Sequence, residues 1–370
     1  MAGGGTNTEH IDIAIVGAGI GGTAAAVALQ QAGFDVHLFE QASQLREVGG
    51  GIVIREPTMP LLARWGVLEG LRANLVEVHV VEIRNRSGSV LATAPAALEG
   101  EAGCVYPHHR ADIHNALIAK LSPSCVHLGH RLASIENGSD HAEAIFANGR
   151  RVQARLIVGA DGLRSVVRTL LDTTPVSFLK QLTNRTIAPA ALLPADMANN
   201  RIRVWQDGMR RLIALPIRNG TEITLNAAIP AETPPEKMWS SMPLETLLSF
   251  YTDFDPLVTR LIKGGTVPIT TVPVCDKEPI EKWADRHIVL LGDAAHPMSP
   301  MNGQGANQAI QDAGALAAAL CGHHRDHLAL ALADYQSARA PVTARIQMLS
   351  RQPPPALARV ASEPKPGATQ

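Results

Sequence analysis

Aromatic side chains are scarce, with Phe, Tyr and Trp making up 4% of the 370 residues. A stacking groove for single-stranded nucleic acid needs such rings in number, so that class of function is excluded. Neither charge sign dominates: 33 Lys and Arg against 34 Asp and Glu leave a net charge of -1. No global field draws nucleic acid or an anionic membrane, and any charged ligand must be held locally. The four cysteines, Cys104, Cys125, Cys275 and Cys321, are far apart and form no C-x-x-C. This argues against a disulfide framework or zinc ribbon and for a reducing compartment, the cytoplasm by default. Long apolar runs are missing too. Ile11 to Val16 is of strand length, and Met1 to Glu9 has no basic stretch, so Met1 to Thr8 is expected to be a loose tail.

What is present is ordinary globular composition, 46% hydrophobic and 18% charged, in a length that suits two connected domains. Ile11 to Val16 reads as a strand, Thr23 to Gln31 as a helix and Phe34 to Glu40 as a second strand, a βαβ unit. Pro57 to Leu75 has a helical pattern, Val76 to Arg84 and Val90 to Thr93 form a hairpin pattern, and Arg110 to Leu121 is an amphipathic helix. Arg201 to Gln206, Arg211 to Ile217 and Thr221 to Ile229, joined at Asp207-Gly208 and Asn219-Gly220, read as an antiparallel sheet. Helix is expected within Pro234 to Tyr251, then a strand at His287 to Leu291, and helices over Gly305 to Cys321 and Ala329 to Leu349. A first domain over 9–175 is therefore expected, then a sheet domain over 176–275, a return to the first domain over 276–350, and a proline-rich tail over 351–370.

Between the first strand and helix, Gly17, Gly19 and Gly22 form G-x-G-x-x-G, with Ile20 and Gly21 inside it. The first glycine permits the tight turn, the second lets backbone approach a pyrophosphate, and the third lets helix pack on strand. The helix N-terminus supplies free N–H groups to the phosphates. Glu40, 18 positions after Gly22, ends the second strand where a carboxylate accepts ribose hydroxyls. This motif alone admits NAD or FAD. Two later segments separate them: Gly159-Ala160-Asp161-Gly162 and Gly292-Asp293-Ala294-Ala295-His296-Pro297, each following a buried strand.

Together the three motifs resemble those of the single-component FAD-dependent aromatic hydroxylases of the p-hydroxybenzoate hydroxylase type. Gly292 to Asp312 is most similar to the branch containing salicylate hydroxylase and 6-hydroxynicotinate 3-monooxygenase. The resemblance implies an α/β fold: a three-layer, Rossmann-like FAD-binding domain of the GR2 type with an inserted antiparallel β-sheet substrate domain. It also implies that Asp293 contacts the ribityl chain, that Arg110 reaches the diphosphate and that Arg46 lies along the cofactor. Asp161 is associated with FAD and the reduced nicotinamide, and Leu132 also belongs with the cofactor residues. Gly303, Gln304, Gly305, Ala306 and Asn307 open the long helix against the flavin ring, where its dipole favours the anionic reduced form. For Arg46 and Arg110 a surface ion pair is the alternative.

The chemistry so implied is reduction of FAD by NADH or NADPH, reaction with dioxygen to a C4a-hydroperoxide, and oxygen transfer to a small aromatic or heteroaromatic acid. Carboxyl loss follows if the ipso carbon is attacked. Relatives usually carry His and Tyr where this chain has Arg211 and Leu215, and Gln where the segment Ile52 to Pro57 has none. Strand alternation puts Arg211, Ile213 and Leu215 on one face, which makes Arg211 and Leu215 candidate substrate contacts, with a solvated edge-strand arginine as the alternative for Arg211; the departure over Ile52 to Pro57 makes Arg55 or Glu56 a further candidate, and Pro297 another. His296 is a candidate proton relay or a supporting hydrogen-bond partner. No metal is expected, since Cys321, His323, His324 and His327 sit at a helix end. Nucleic acid and stable membrane association are not expected, and the chain is expected to be a monomer or homodimer. A flavin epoxidase or tailoring oxygenase, and an FAD-binding protein without turnover, remain as alternatives.

Overall fold

A computed structural model describes residues 9–45, 50–98, 100–101, 103–197 and 200–352. Strand Glu9–Val16 lies at the centre of the first sheet, with Arg151–Gly159 on one side and Val36–Phe39 on the other, both parallel to it. Strands Ile288–Leu290 and Val126–His127 extend the parallel core outward. Burial on both faces explains why Ile13, Ala14 and Ile15 are apolar in succession rather than alternating. Helices Ile20–Gln31 and Gly305–Gly322 pack together on this sheet, with Leu328–Ser350 against the latter. The meander Leu132–Asn137 and Ala142–Phe146 attaches through Arg151–Gly159.

The second sheet runs in the order Ser240–Ser241, Thr270–Asp276, Ser177–Pro189, Glu222–Pro230, Arg210–Ile217, Arg201–Asp207, Val80–Asn85 and Val90–Pro95. Its strands alternate cleanly. Leu212 and Ala214 face an outer core shared with Tyr251, Leu257 and Leu261, whereas Ile213 and Leu215 face inward. The ribbon of Gly51–Arg55 and Val105–His109 stands between the two sheets.

Two expectations are corrected. The hairpin Val80–Pro95, expected within the first domain, is hydrogen bonded to Arg201–Asp207 instead, and by a parallel pairing in an otherwise antiparallel sheet. Parallel partners are remote in sequence, so nothing local announces the pairing. Helix expected across Pro234 to Tyr251 is confined to Leu244–Ser249, and a second helix, Pro256–Lys263, follows. Asp255 caps it by accepting from Leu257 N–H at 2.9 Å, with Pro256 in its first turn, a start signal that is local to the sequence.

Candidate active site

A cavity of about 1090 Å³ spans from the carboxyl ends of the first sheet to the inner face of the second. Its first-sheet end is built by close backbone approach. Gly17 has φ +101°, and a Cβ there would lie 2.4 Å from the Ala160 carbonyl oxygen; a Cβ on Gly22 would lie 1.9 Å from the Gly17 oxygen. The turn therefore closes only with glycine, and it leaves Gly19, Ile20 and Gly21 bordering the cavity at the N-terminus of Ile20–Gln31. The Arg110 guanidinium lies over this turn, 3.9 Å from where a Gly19 Cβ would be. Burial lowers the Arg110 pKa, opposed by the carboxylate of Asp293.

Asp293 is exposed, and it borders the open cavity. Desolvation by the surrounding protein raises its pKa, while His296, Arg110 and Arg168 oppose the rise. Arg168 ties the two Asp-bearing turns together: Nη1 donates to the carbonyls of Asp293 at 3.2 Å and Ala294 at 3.0 Å, and Nη2 to Leu163. Gly303, with φ +61°, and Gly305 and Ala306 form the adjoining wall at the start of the long helix. An arginine over a glycine turn, a helix N-terminus and a carboxylate facing the same space are the donor and acceptor set that a diphosphate joined to a polyol chain requires.

The floor belongs to the second sheet. Cross-strand pairing aligns Arg185, Asn226 and Ile213 in one row and Thr183, Ala228 and Arg211 in the next. All but the small polar groups and these two arginines make an apolar surface, completed by Ile202, Val204, Leu215, Val81 and Val53. Arg211 is buried and its Nη1 contacts only the Met301 sulfur, while Nε has no hydrogen-bond partner among the described residues. Burial lowers its pKa. Asn226 Oδ1 and Arg185 Nε are likewise buried without a partner among the described residues. Burial, and then repulsion from Arg110, pull the Arg185 pKa down to about 10.

This chain matches the FAD binding domain family over residues 10–245 and 263–350. The chain belongs to that family. It is 31% identical to 6-hydroxynicotinate 3-monooxygenase of Pseudomonas fluorescens over 351 residues, 91% of this chain and 90% of the relative. It is 30% identical to 3-amino-4-hydroxybenzoate 2-monooxygenase of Streptomyces cremeus, over 93% of this chain and 87% of that protein. Among solved structures, Klebsiella pneumoniae HpxO complexed with FAD and uric acid superposes with a TM-score of 0.80 at 23% identity, covering 92% and 87% of the two chains. The protein is thus an FAD-dependent aromatic hydroxylase, a monooxygenase, and FAD is its cofactor. No helix among the described residues is long and apolar enough to cross a membrane.

Against the cavity, the candidate residues divide. Gly19, Ile20, Gly21, Arg110, Asp293, Gly303, Gly305 and Ala306 border the cavity, as do Arg55, Arg211, Leu215 and Pro297. Several others are committed elsewhere. Glu40 accepts from the Ala18 and Ala42 N–H groups at 2.8 and 2.9 Å, bracing the glycine turn. Asp161 accepts from Ser165 Oγ and from the N–H groups of Val166 and Val167, so its carboxylate organises its own turn. The Asn307 side chain is spent on Val53, Arg55, Thr58 and Gly303, fastening the helix to the ribbon, and Gln304 accepts from Gln308. Leu132 is a core residue paired with Phe146, away from the cavity. Arg55 is neutralised by Glu101. Arg46 lies outside the described residues.

Of the two readings of His296, the geometry fits the supporting hydrogen-bond partner. Its ring is fully buried and packs on Trp283, its Nε2 lies 2.6 Å from Asp312 Oδ2, and it does not border the cavity. A proton relay needs reach, and here the reach is absent. Sequence reasoning also missed Arg185 and Trp239. Alternation along Ser177–Pro189 could have indicated Arg185; Trp239, exposed in an irregular segment with Arg110 over its ring, carries no local signal.

Proposed function

We propose that this protein hydroxylates a small aromatic or heteroaromatic ring bearing an anionic group, with NADH or NADPH as reductant. Arg211 carries the reading. A buried guanidinium with no ion pair among the described residues, set in an apolar floor, is an environment that an aromatic carboxylate or phenolate completes, and an amine or hydroxyl on the same ring would donate to the unfilled acceptor of Asn226. The ring would lie on Ile213 and Leu215, and its charge against Arg211.

Bound FAD would pass the two electrons of the reduced nicotinamide to dioxygen, one oxygen atom of which goes to the ring while the other leaves as water. The chain's own part is to orient the ring, exclude water and favour the anion. No His or Tyr borders the cavity among the described residues, and of the carboxylates there Glu101 is paired with Arg55 and Asp293 stands at the far, first-sheet end near Arg110. Arg211 would substitute for a base by stabilising the ionised ring, and a ring activated by an amine or by an already ionised hydroxyl fits this best.

The test is a screen of hydroxylated and aminated aromatic acids for accelerated NAD(P)H oxidation, with product mass separating oxygen addition from exchange of carboxyl for hydroxyl. Arg211→Met should weaken binding of the substrate found by about 100-fold, the loss of one buried charge-assisted pair. Unchanged affinity in Arg211→Met would remove the anionic group from the proposal. A flavin inert to both nicotinamides with every acid would favour the FAD-binding protein without turnover.

A further inference from the structure

The sheet face that floors the cavity does not end at Arg211. Gln181, Arg211, Val274 and Met301 each border two spaces: the cavity, and a recess of about 550 Å³ beyond it. The lining is continuous along two strands, although Ser177–Pro189 is irregular between Phe178 and Leu182. On Ser177–Pro189 the same face carries Leu179 and Gln181 into the recess and Thr183 and Arg185 into the cavity. Strand Thr270–Asp276 continues likewise from Val274 to Asp276. The recess reaches solvent at Leu179 and Met209, 37% and 44% exposed.

At the junction Arg211 Nη1 lies against the sulfur of Met301. A thioether is a weak acceptor on a flexible, unbranched side chain, and it holds a cation far less firmly than a carboxylate would. Two other cations border the recess, but each is bound: Lys277 to Asp172, and Arg351 to Asp276 and Glu278. Met301 itself belongs to the short turn Pro300–Asn302, followed by Gly303 in the left-handed region.

We infer that Arg211 and Met301 form a gate, and that the recess is the route by which an anionic aromatic molecule reaches or leaves the cavity. An anion arriving over Leu179 and Met209 offers Arg211 a stronger partner than Met301; exchange of partners opens the junction and leaves the ligand's charge on the residue that holds it inside. The substrate class rests on the function proposed above; the gate does not.

Holoenzyme is compared with Met301→Trp, Met301→Ala and Met209→Trp, the last narrowing the recess at its rim without touching the cavity. A barrier on the route changes entry and exit together. Both Trp variants should therefore slow association and dissociation of an aromatic acid about tenfold in stopped flow, with Kd within about twofold of wild type in Met209→Trp, which does not border the cavity, and Met301→Ala should speed both. Unaltered rates in both Trp variants, or a changed Kd with unchanged association, overturn the gate. Iodide quenching of bound flavin fluorescence reads the same passage without a substrate: the quenching constant should fall in the Trp variants and rise in Met301→Ala. If no aromatic acid binds the wild type, the substrate reading fails by itself, and equal iodide quenching in all four proteins then overturns the gate.

Discussion

Asp312 lies at the centre of a buried charge cluster, and neutralising it should be costly in a way that neutralising the whole cluster is not. Its Oδ2 accepts from His296 Nε2 at 2.6 Å and from the Gly292 N–H at 3.1 Å, while Oδ1 accepts from Arg339 Nε at 2.7 Å. The His296 and Asp312 side chains are 0% exposed and that of Arg339 is 9% exposed. Burial alone would raise the Asp312 pKa, yet the charges and hydrogen bonds of His296 and Arg339 hold it below the usual carboxylate range. Asp312→Asn keeps the size and one acceptor but leaves Arg339 buried without its counter-charge. Breaking such a pair costs about 3–5 kcal/mol, and the retained acceptor places this case near 3 kcal/mol. At about 2.1 cal/mol/K of unfolding entropy per residue, a 370-residue chain should lose about 4 °C of melting temperature. Replacing all three groups, with Asp312→Leu, His296→Leu and Arg339→Met, removes the desolvation cost as well as the attraction and should recover at least half of the loss. Thermal unfolding followed by circular dichroism and by flavin fluorescence measures both variants. Flavin release should precede loss of helix in Asp312→Asn, because the Gly292–Asp293 turn depends directly on this carboxylate. A melting temperature within about 1 °C of wild type for Asp312→Asn, or a triple variant less stable than the single one, would refute the reasoning.

The glycine turn and a buried histidine give further tests. Gly22→Ala places a Cβ 1.9 Å from the Gly17 oxygen, so the purified protein should bind FAD at least about tenfold more weakly, whereas Gly322→Ala, where a Cβ meets nothing within 4 Å, should retain it. The ratio of flavin to protein absorbance checks this, and full flavin content in Gly22→Ala would contradict it. His108 is 1% exposed, and burial lowers its pKa from 6.5 to about 4, opposed by Asp112. The unfolded chain therefore binds more protons than the folded one between those values, and stability falls as pH drops through that window, by about 2 kcal/mol at pH 5 relative to pH 7.5. Urea unfolding at both pH values should show this loss shrinking in His108→Leu; an equal loss in both proteins would assign the acid sensitivity elsewhere.

Legibility differed between the two ends of the cavity for a physical reason. The FAD end is made of turns whose requirements are local: Gly17 and Gly22 must lack a Cβ because backbone passes within 3 Å, and Asp293 must follow its strand to front the cavity. Such constraints act between neighbours in sequence and leave motifs behind. Glu40, Asp161 and Asn307 use their polar atoms to brace the turns, and His296 serves Asp312, because an unpaired buried polar group is costly and nearby donors claim it first.

The sequence by itself determined the dinucleotide turn, the order of strands and helices through it, and the shared face of Arg211, Ile213 and Leu215, since each follows from glycine sterics or from the two-residue period of a strand. Only the tertiary structure decided that the hairpin Val80–Pro95 belongs to the second sheet, that Arg185 stands beside Asn226, and that Arg211 is closed off by Met301, 90 residues away. These depend on pairings between distant segments, which are selected by the burial of whole faces rather than by any residue's neighbours in the chain.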